Sequence, residues 1–379
     1  MPSFEILPQE TRKTFFSACA LIRENFPIPG RFLRALPSQT AELSRLLTNN
    51  RGERPLSYLT RPNFLSAYMH YFLPWNIYRL CLLLHSIDLN LSSGDSITDL
   101  GSGPLTFTSA LWIARADLRN IPLEINCIDR SAPALKAGSK FFNALCASAN
   151  MGNIWKINLI RDNIDIRRVA RKGNKSALVC AVNLFNEIYE SLPHSDTEGL
   201  KHTADNAAQL MSDMALKDGS ILTVEPGVPQ SGRFISFLRT AFLETDMQPL
   251  SPCTHSSVCP FSGNKKRWCH FAYETFDAPK ELQQLSAAAA LPKERLVFSY
   301  LLTSATAKIN TKNKLRVISD SFPLPQNRFG RYGCCSKGLV LLAGERKHIE
   351  KIFCGSLIPM TADFKGRDEK SGAPIMEVI

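Results

Sequence analysis

Two periodicities divide this chain. Over its first quarter apolar residues recur at helical spacing, as across 15–22, but Pro27, Pro29, Pro37, Pro55, Pro62 and Pro74 cut the pattern into pieces. The clearest helix it predicts covers 68–91, interrupted near Pro74, because proline removes an N–H and clashes with the preceding turn. From 96 to about 249 short β-rich runs alternate with helical ones, which predicts an α/β sheet flanked by helices. Runs at 295–302 and 339–342 predict further short strands. The expected organisation is a helical N-terminal extension (1–94), an α/β core (95–249) and a cysteine-rich segment (250–290), then a β-rich C-terminal module (291–360) and a polar tail (361–379). No internal repeat or long low-complexity run interrupts it.

Charge sharpens this outline. Lys and Arg number 45 against 34 Asp and Glu, a formal net charge of +11. Between 264 and 351 there are sixteen basic and seven acidic residues, so about +9 of the excess lies beside and beyond the cysteine-rich segment. A second basic run, Arg167-Arg168-Val169-Ala170-Arg171-Lys172 with Lys175, precedes a later strand. Such concentration predicts a polyanionic partner such as RNA, bound through counterion release.

The most apolar run, 80–84, is far shorter than the roughly 20 residues that a membrane span needs. Glu5 and Glu10 precede the apolar stretch 15–22 and Arg23 ends it, which reads as an amphipathic helix and not a signal peptide. A cytoplasmic, monomeric protein without membrane contact is therefore expected. Eleven cysteines without a secretion signal argue against a disulfide scaffold and for ligand chemistry where they cluster. Cys19, Cys81, Cys127, Cys146, Cys180 and Cys354 stand singly among apolar residues and are expected in the core.

The cofactor signal starts at Ile97-Thr98-Asp99-Leu100-Gly101-Ser102-Gly103-Pro104, an apolar strand running through an acid into a glycine turn before a helix. Glycines there allow a sharp turn and close approach of a bulky ligand. The next strand ends at Asp129, where a carboxylate is placed to accept from a ribose diol. The G-x-G-x-x-G of dinucleotide folds is absent. The run resembles motif I of S-adenosylmethionine-dependent methyltransferases. That resemblance makes Asp99, Gly101, Ser102, Gly103 and Asp129 cofactor-binding residues, with Asp162 a partner of the adenine amine and Asn186 a brace of the pocket. Residues 177–187 and 220–227 would be the fourth and fifth strands. Leu105 stands where motif I usually has a third glycine, and its side chain is expected to crowd the methionine end. The chain carries neither a Pro-Cys nucleophile loop nor an Asn/Asp-Pro-Pro-Tyr motif, so no catalytic residue is identified and methyl transfer is not implied by the pocket alone.

Downstream lie Cys253, Cys259 and Cys269, followed by the pair Cys334-Cys335. Four thiolates suit a [4Fe–4S] cluster or a Cys₄ zinc site, and His255 or His270 would complete a Cys₃His zinc site. The spacing matches neither a zinc ribbon nor a ferredoxin run, and on spacing alone iron–sulfur and zinc stay open.

Val224-Glu225-Pro226-Gly227, Ser251-Pro252-Cys253-Thr254-His255 with Cys259-Pro260, Trp268-Cys269-His270-Phe271 and Phe298-Ser299-Tyr300 together resemble the ribosomal small-subunit methyltransferase-like family. This family comprises mitochondrial ribosome-associated methyltransferase-like proteins and their bacterial relatives, and the resemblance covers about 96–345. It implies a class I, Rossmann-like S-adenosylmethionine methyltransferase core with an iron–sulfur site, acting on the small subunit and its rRNA during assembly or translation. It also implies Cys253, Cys259, Cys269 and Cys334 as cluster ligands, with Cys335 close behind and a structural zinc as the alternative. Lys265, Lys266, Arg267, Arg328, Arg331 and Lys337 would then face rRNA phosphates, with Phe329 and Tyr332 set to stack on bases or to pack in a hydrophobic patch. The competing function is a non-catalytic rRNA-binding assembly factor.

Overall fold

Pro74 does not end the helix in which it sits. The computed structural model describes residues 7–48, 58–149, 152, 154–167, 175–264, 266–306, 313–360 and 364–378. Its first part holds α1 (Gln9–Asn25), the single turn α2 (Gly30–Leu33), α3 (Leu36–Thr48), α4 (Pro62–Ala67) and α5 (Leu73–Ser86). A π-helical turn, Tyr68–Phe72, joins α4 to α5, so 62–86 is one rod. The wide turn closes with Leu73 N–H on the Tyr68 carbonyl, one residue further back than in an α-helix. It absorbs the donor that Pro74 lacks. The rod thus starts earlier and stops sooner than the 68–91 expected.

Next come β1 (Ser96–Leu100), α6 (Thr106–Ala114), β2 (Glu124–Asp129), α7 (Ala132–Ser148) and β3 (Lys156–Arg161). They are followed by β4 (Ser176–Val182), α8 (Phe185–Ile188), α9 (Thr197–Met214), β5 (Ala215–Pro226) and α10 (Pro229–Glu244). The sheet is completed by β6 (Gln248–Ser251), β7 (Phe271–Glu274) and, after α11 (Lys280–Ala288), β8 (Arg295–Ser304). Strand order is β3-β2-β1-β4-β5-β8-β6, with β7 also on β8. The first five strands are parallel, and β8 enters antiparallel between β5 and β6. Near-total burial of β4 is what a parallel strand covered on both faces requires. One face packs on α1, α5, α6 and α7, where α6 is buried all round. The other packs on α9 and α10.

A second sheet follows, from β9 (Lys314–Val317), β10 (Phe322–Leu324), β11 (Arg328–Cys335) and β12 (Gly338–Gly344). After the turn α12 (Arg346–Ile349) it adds β13 (Leu357–Pro359), β14 (Phe364–Arg367) and β15 (Pro374–Val378). Its order is β13-β9-β11-β12-β15-β14, with β10 on β11. Two expected boundaries shift here. The 295–302 run, assigned to the C-terminal module, is a strand of the first sheet, because residues 298–304 of β8 pair with β5. The supposed polar tail supplies β14 and β15, with β15 pairing parallel to β12 and Met376 buried in that sheet's core. No helix of the described residues is long and apolar enough to cross a membrane.

Candidate functional site

Four parallel strands bring the predicted cofactor residues to one edge of the sheet. Gly101 and Gly103 follow β1 in the left-handed region, φ 69° and 54°. Glycine alone adopts it there without strain, and a Cβ on Gly101 would meet Leu184 at 2.8 Å. Asp129 ends β2, and its carboxylate accepts from Gly103 N–H at 2.9 Å and Ser131 N–H at 2.7 Å. One lone pair on each oxygen remains for a diol. Burial raises its pKa, against those two N–H bonds. Asp162 follows β3 and Asn186 sits in α8; with Gly101, Gly103 and Asp129 they line a cavity of about 340 Å³. That is a volume typical of small-molecule sites. Asp99 and Ser102 lie beneath, lining a narrow extension of about 20 Å³. Burial pushes the Asp99 carboxyl up to about 7, opposed by the neighbouring Ser102 hydroxyl and by the Cys180 thiol, which donates to Oδ1 at 3.5 Å.

Leu105 does not crowd this cavity. It adopts φ 55°, as a third glycine would, but its side chain is fully buried in the hydrophobic core and lines neither space. Gly138 of α7 makes room for the turn, since a Cβ there would meet the Pro104 carbonyl carbon at 2.3 Å.

Sequence reasoning missed Asn183 and Arg79 of the opposite wall, and the role of the buried Glu225. Asn183, directly after β4 and at φ 53°, accepts at Oδ1 from Arg79 Nη2 at 2.9 Å. Arg79 comes from α5 and is only 7% exposed. A lone arginine inside the apolar stretch Ile77-Tyr78-Arg79-Leu80-Cys81-Leu82-Leu83-Leu84 was the available signal. Glu225, fully buried at the end of β5, accepts from the N–H groups of Phe185 (2.9 Å) and Asn186 (3.0 Å). It thereby shapes the loop after β4. Burial pushes its carboxyl up to about 8. The Asn186 amide donates to Glu225 Oε2 at 3.2 Å and to the Asn183 carbonyl at 2.8 Å, so it braces the loop. Glu187 is held by Arg130 Nη2 (3.1 Å) and Tyr58 Oη (3.3 Å). Tyr68 and Phe72, stacked with centroids 5.6 Å apart, also line the cavity.

The cysteine segment is an excursion from one edge strand. Both β6 and β7 pair antiparallel with β8, β6 opposite 302–304 and β7 opposite 295–298. Residues 252–270 therefore loop out between two halves of a single strand. Two buried arginines fasten the loop: Arg239 donates to the His255 and Ser257 carbonyls (2.7 and 2.8 Å), and Arg316 to the Pro252 carbonyl (3.0 Å). Period-two alternation along β11 puts Cys335 into the second sheet's own core and turns Cys334 toward the loop. Burial raises the Cys269 thiol well above its ordinary value, followed by the charges of Cys253, Cys334, Cys259 and Cys354. Cys334 responds likewise to burial, then to Cys253 and Cys259. His255 Nε2 lies 3.4 Å from Cys334 Sγ. Burial lowers the pKa of His255 to about 4, with Arg239 adding to the effect. Among the described residues no group of three or more His, Cys, Asp or Glu side chains is drawn together as a site for a metal ion.

The basic surface is smaller than expected. Lys266, Arg267 and Lys337 are exposed. Arg331 is buried, donating to the Ile349 and Ser319 carbonyls, and Arg328 pairs with Glu377 at 2.6 Å. Tyr332 donates to Asp368 and packs on Phe322, while Phe329 lies beneath Arg346, so both aromatics serve the module's own packing. Lys265 and the run 168–172 lie outside the described residues.

A family model described as Rsm22, mitochondrial small ribosomal subunit Rsm22, matches residues 67–323. Its description names a mitochondrial component, where the sequence alone led to a cytoplasmic expectation. Solved structures similar to the chain include an S-adenosylmethionine-dependent methyltransferase from Geobacter sulfurreducens in complex with S-adenosyl-L-homocysteine. It is 11% identical at TM-score 0.33, covering 69% of this chain and 97% of that one. Geranyl diphosphate methyltransferase in complex with GPP and sinefungin is 11% identical at TM-score 0.32, covering 60% and 78%. TrmN from Thermus thermophilus is 16% identical at TM-score 0.29, covering 45% and 44%. At these scores they add nothing to what strand order already gives. No curated protein sequence matches.

Proposed function

The chain belongs to the Rsm22 family, mitochondrial small ribosomal subunit Rsm22, and from that premise we propose that it binds S-adenosylmethionine and the rRNA of the small ribosomal subunit, supporting that subunit's assembly or translation. One observation carries the cofactor half. Asp129, already held by two backbone donors, faces a cavity of about 340 Å³ bounded by Gly101, Gly103 and Asp162. Asp129 would accept from the ribose hydroxyls and Asp162 from the adenine amine, while the two glycines let the ligand approach the backbone. Bound there, S-adenosylmethionine would supply an electrophilic methyl group. Isothermal titration with S-adenosylhomocysteine tests this. Asp129→Asn should weaken binding roughly tenfold or more, through loss of charge-assisted acceptors. Wild-type protein with no measurable affinity would sink the proposal.

The non-catalytic reading is favoured over rRNA methylation by the loop after β4, where Asn183-Leu184-Phe185-Asn186 carries neither the Asn/Asp-Pro-Pro-Tyr nor the Pro-Cys motif of base methylation. Mass spectrometry of small-subunit rRNA from cells lacking the protein is the test: loss of a single methyl mark would restore the enzymatic reading.

For the cysteine loop we propose a [4Fe–4S] cluster on Cys253, Cys259, Cys269 and Cys334, with a structural zinc as the alternative. The support is the mutual electrostatic effect of four thiols, three on the loop and one on β11, together with the family resemblance. Such a group would cross-link the loop to β11 and thus one sheet to the other. Iron, sulfide and zinc analysis after anaerobic purification decides between them, and metal-free folded protein would overturn both.

A further inference from the structure

Arg79 is a buried cation without a direct ion-pair partner among the described residues, although the Glu225 carboxylate acts on it from a longer range. Among those residues its Nε has no hydrogen-bond partner, and Asn183 Oδ1 is the acceptor it reaches. Buried charges are ordinarily paired, since desolvating a lone ion is costly. A second cation stands close by. Lys293, on the turn before β8, lines with Arg79 both the 340 Å³ cavity and a side cavity of about 70 Å³ bounded by Tyr71, Phe72, Trp75 and Asn76. Lys293 is exposed as a residue, yet desolvation first and the Arg79 charge second hold its ammonium below its ordinary value. Two cations that repel one another across a cavity wall mark the place of an anion.

Strand order says which anion. Asp162, Asp129, Gly101 and Asn183 follow β3, β2, β1 and β4, which are adjacent in that order. Three strand spacings, about 14 Å in all, separate the first from the last. A ligand lying across these ends, with its adenine at Asp162 and ribose at Asp129, brings its far end to Asn183 and Arg79. Resting on the cofactor reading above, we infer that Arg79, seconded by Lys293, is an anion subsite that takes the carboxylate at the amino-acid end of the cofactor. The same geometry assigns Asn183 to hold the guanidinium in place, as a positioning residue.

Truncating the ligand tests this without relying on methyl transfer. Full-length protein is titrated with S-adenosylhomocysteine and with its decarboxylated analogue, which keeps the amine. Wild type should prefer the intact ligand roughly 10- to 100-fold, the worth of a charge-assisted pair. Arg79→Met should erase that preference while leaving affinity for the decarboxylated analogue within about twofold, and Lys293→Met should reduce it in part. Should Arg79→Met melt too low to titrate, Arg79→Lys replaces it, with the preference expected to fall severalfold as the fork is lost. A preference that survives in these variants overturns the assignment, and so does equal weakening toward both ligands, which marks a structural role. Unchanged S-adenosylhomocysteine binding, with loss of competition by inorganic phosphate, would hand the cations to an acceptor phosphate instead. Wild type that binds neither nucleoside fails the cofactor reading itself, which is a distinct result.

Discussion

Leu105 shows how much one side chain's direction matters. Its position in the chain predicted a clash with the cofactor, and its backbone does take the left-handed conformation of the missing glycine. The side chain instead fills the core beneath α6. Leu105→Gly should therefore relieve about 1 kcal/mol of strain while losing a buried leucine worth about 2–5 kcal/mol. A lower melting temperature with unchanged S-adenosylhomocysteine affinity is expected, and tighter binding would return Leu105 to the pocket. Glu225 belongs to the same scale. Its carboxyl rises from an ordinary 4.5 to about 8 on burial. Folding then takes up a proton between those values, so this contribution to stability is complete below about pH 4.5 and is lost as pH rises through 8. Asp99, raised from 3.8 to about 7, acts in the same direction. Glu225→Gln should flatten the fall in melting temperature between pH 5 and 8, measured by calorimetry, and an unaltered slope would mean that the carboxylate is already ionised in the folded protein.

At the scale of elements, the informative unit is the edge strand split by residues 252–270. The cysteines and prolines marked this stretch as a loop, but the return of the chain to the same strand was invisible, because β6 and β7 are four residues each and gain their identity only by pairing with β8. The arginines that fasten the loop were equally hidden, since they sit outside it, Arg239 in α10 and Arg316 in β9, the latter 64 residues from the carbonyl it holds. Removing the Arg239 guanidinium deletes two charge-assisted bonds to loop carbonyls, each worth roughly 1.5–3 kcal/mol. Arg239→Met is thus expected to speed amide exchange across 253–260. Exchange that matches wild type would remove Arg239 from the loop's support.

For the whole molecule, the pairing of two sheets through one loop sets what the basic surface can be. Of the six cations expected to face rRNA beside the loop, Arg331 and Arg328 are spent on internal bonds, whereas Lys266, Arg267 and Lys337 stay exposed. If those exposed cations meet phosphates, Lys266→Gln with Lys337→Gln should weaken binding to small-subunit rRNA. The double variant should also reduce the slope of log K against log[salt] by about 1.5, at roughly 0.7–0.9 per contact. A slope equal to wild type would move the RNA surface elsewhere.

Composition, periodicity and the order of short motifs were enough for the doubly wound core, the acid at the end of β2 and the basic bias near the cysteines, because each depends on residues adjacent in the chain. Tertiary structure alone decided that the 295–302 strand completes the first sheet, that 364–378 is paired and no loose tail, and that Arg79 and Asn183 meet. Those outcomes depend on which distant backbones find partners and on which side chains lose water, and neither is written in local sequence.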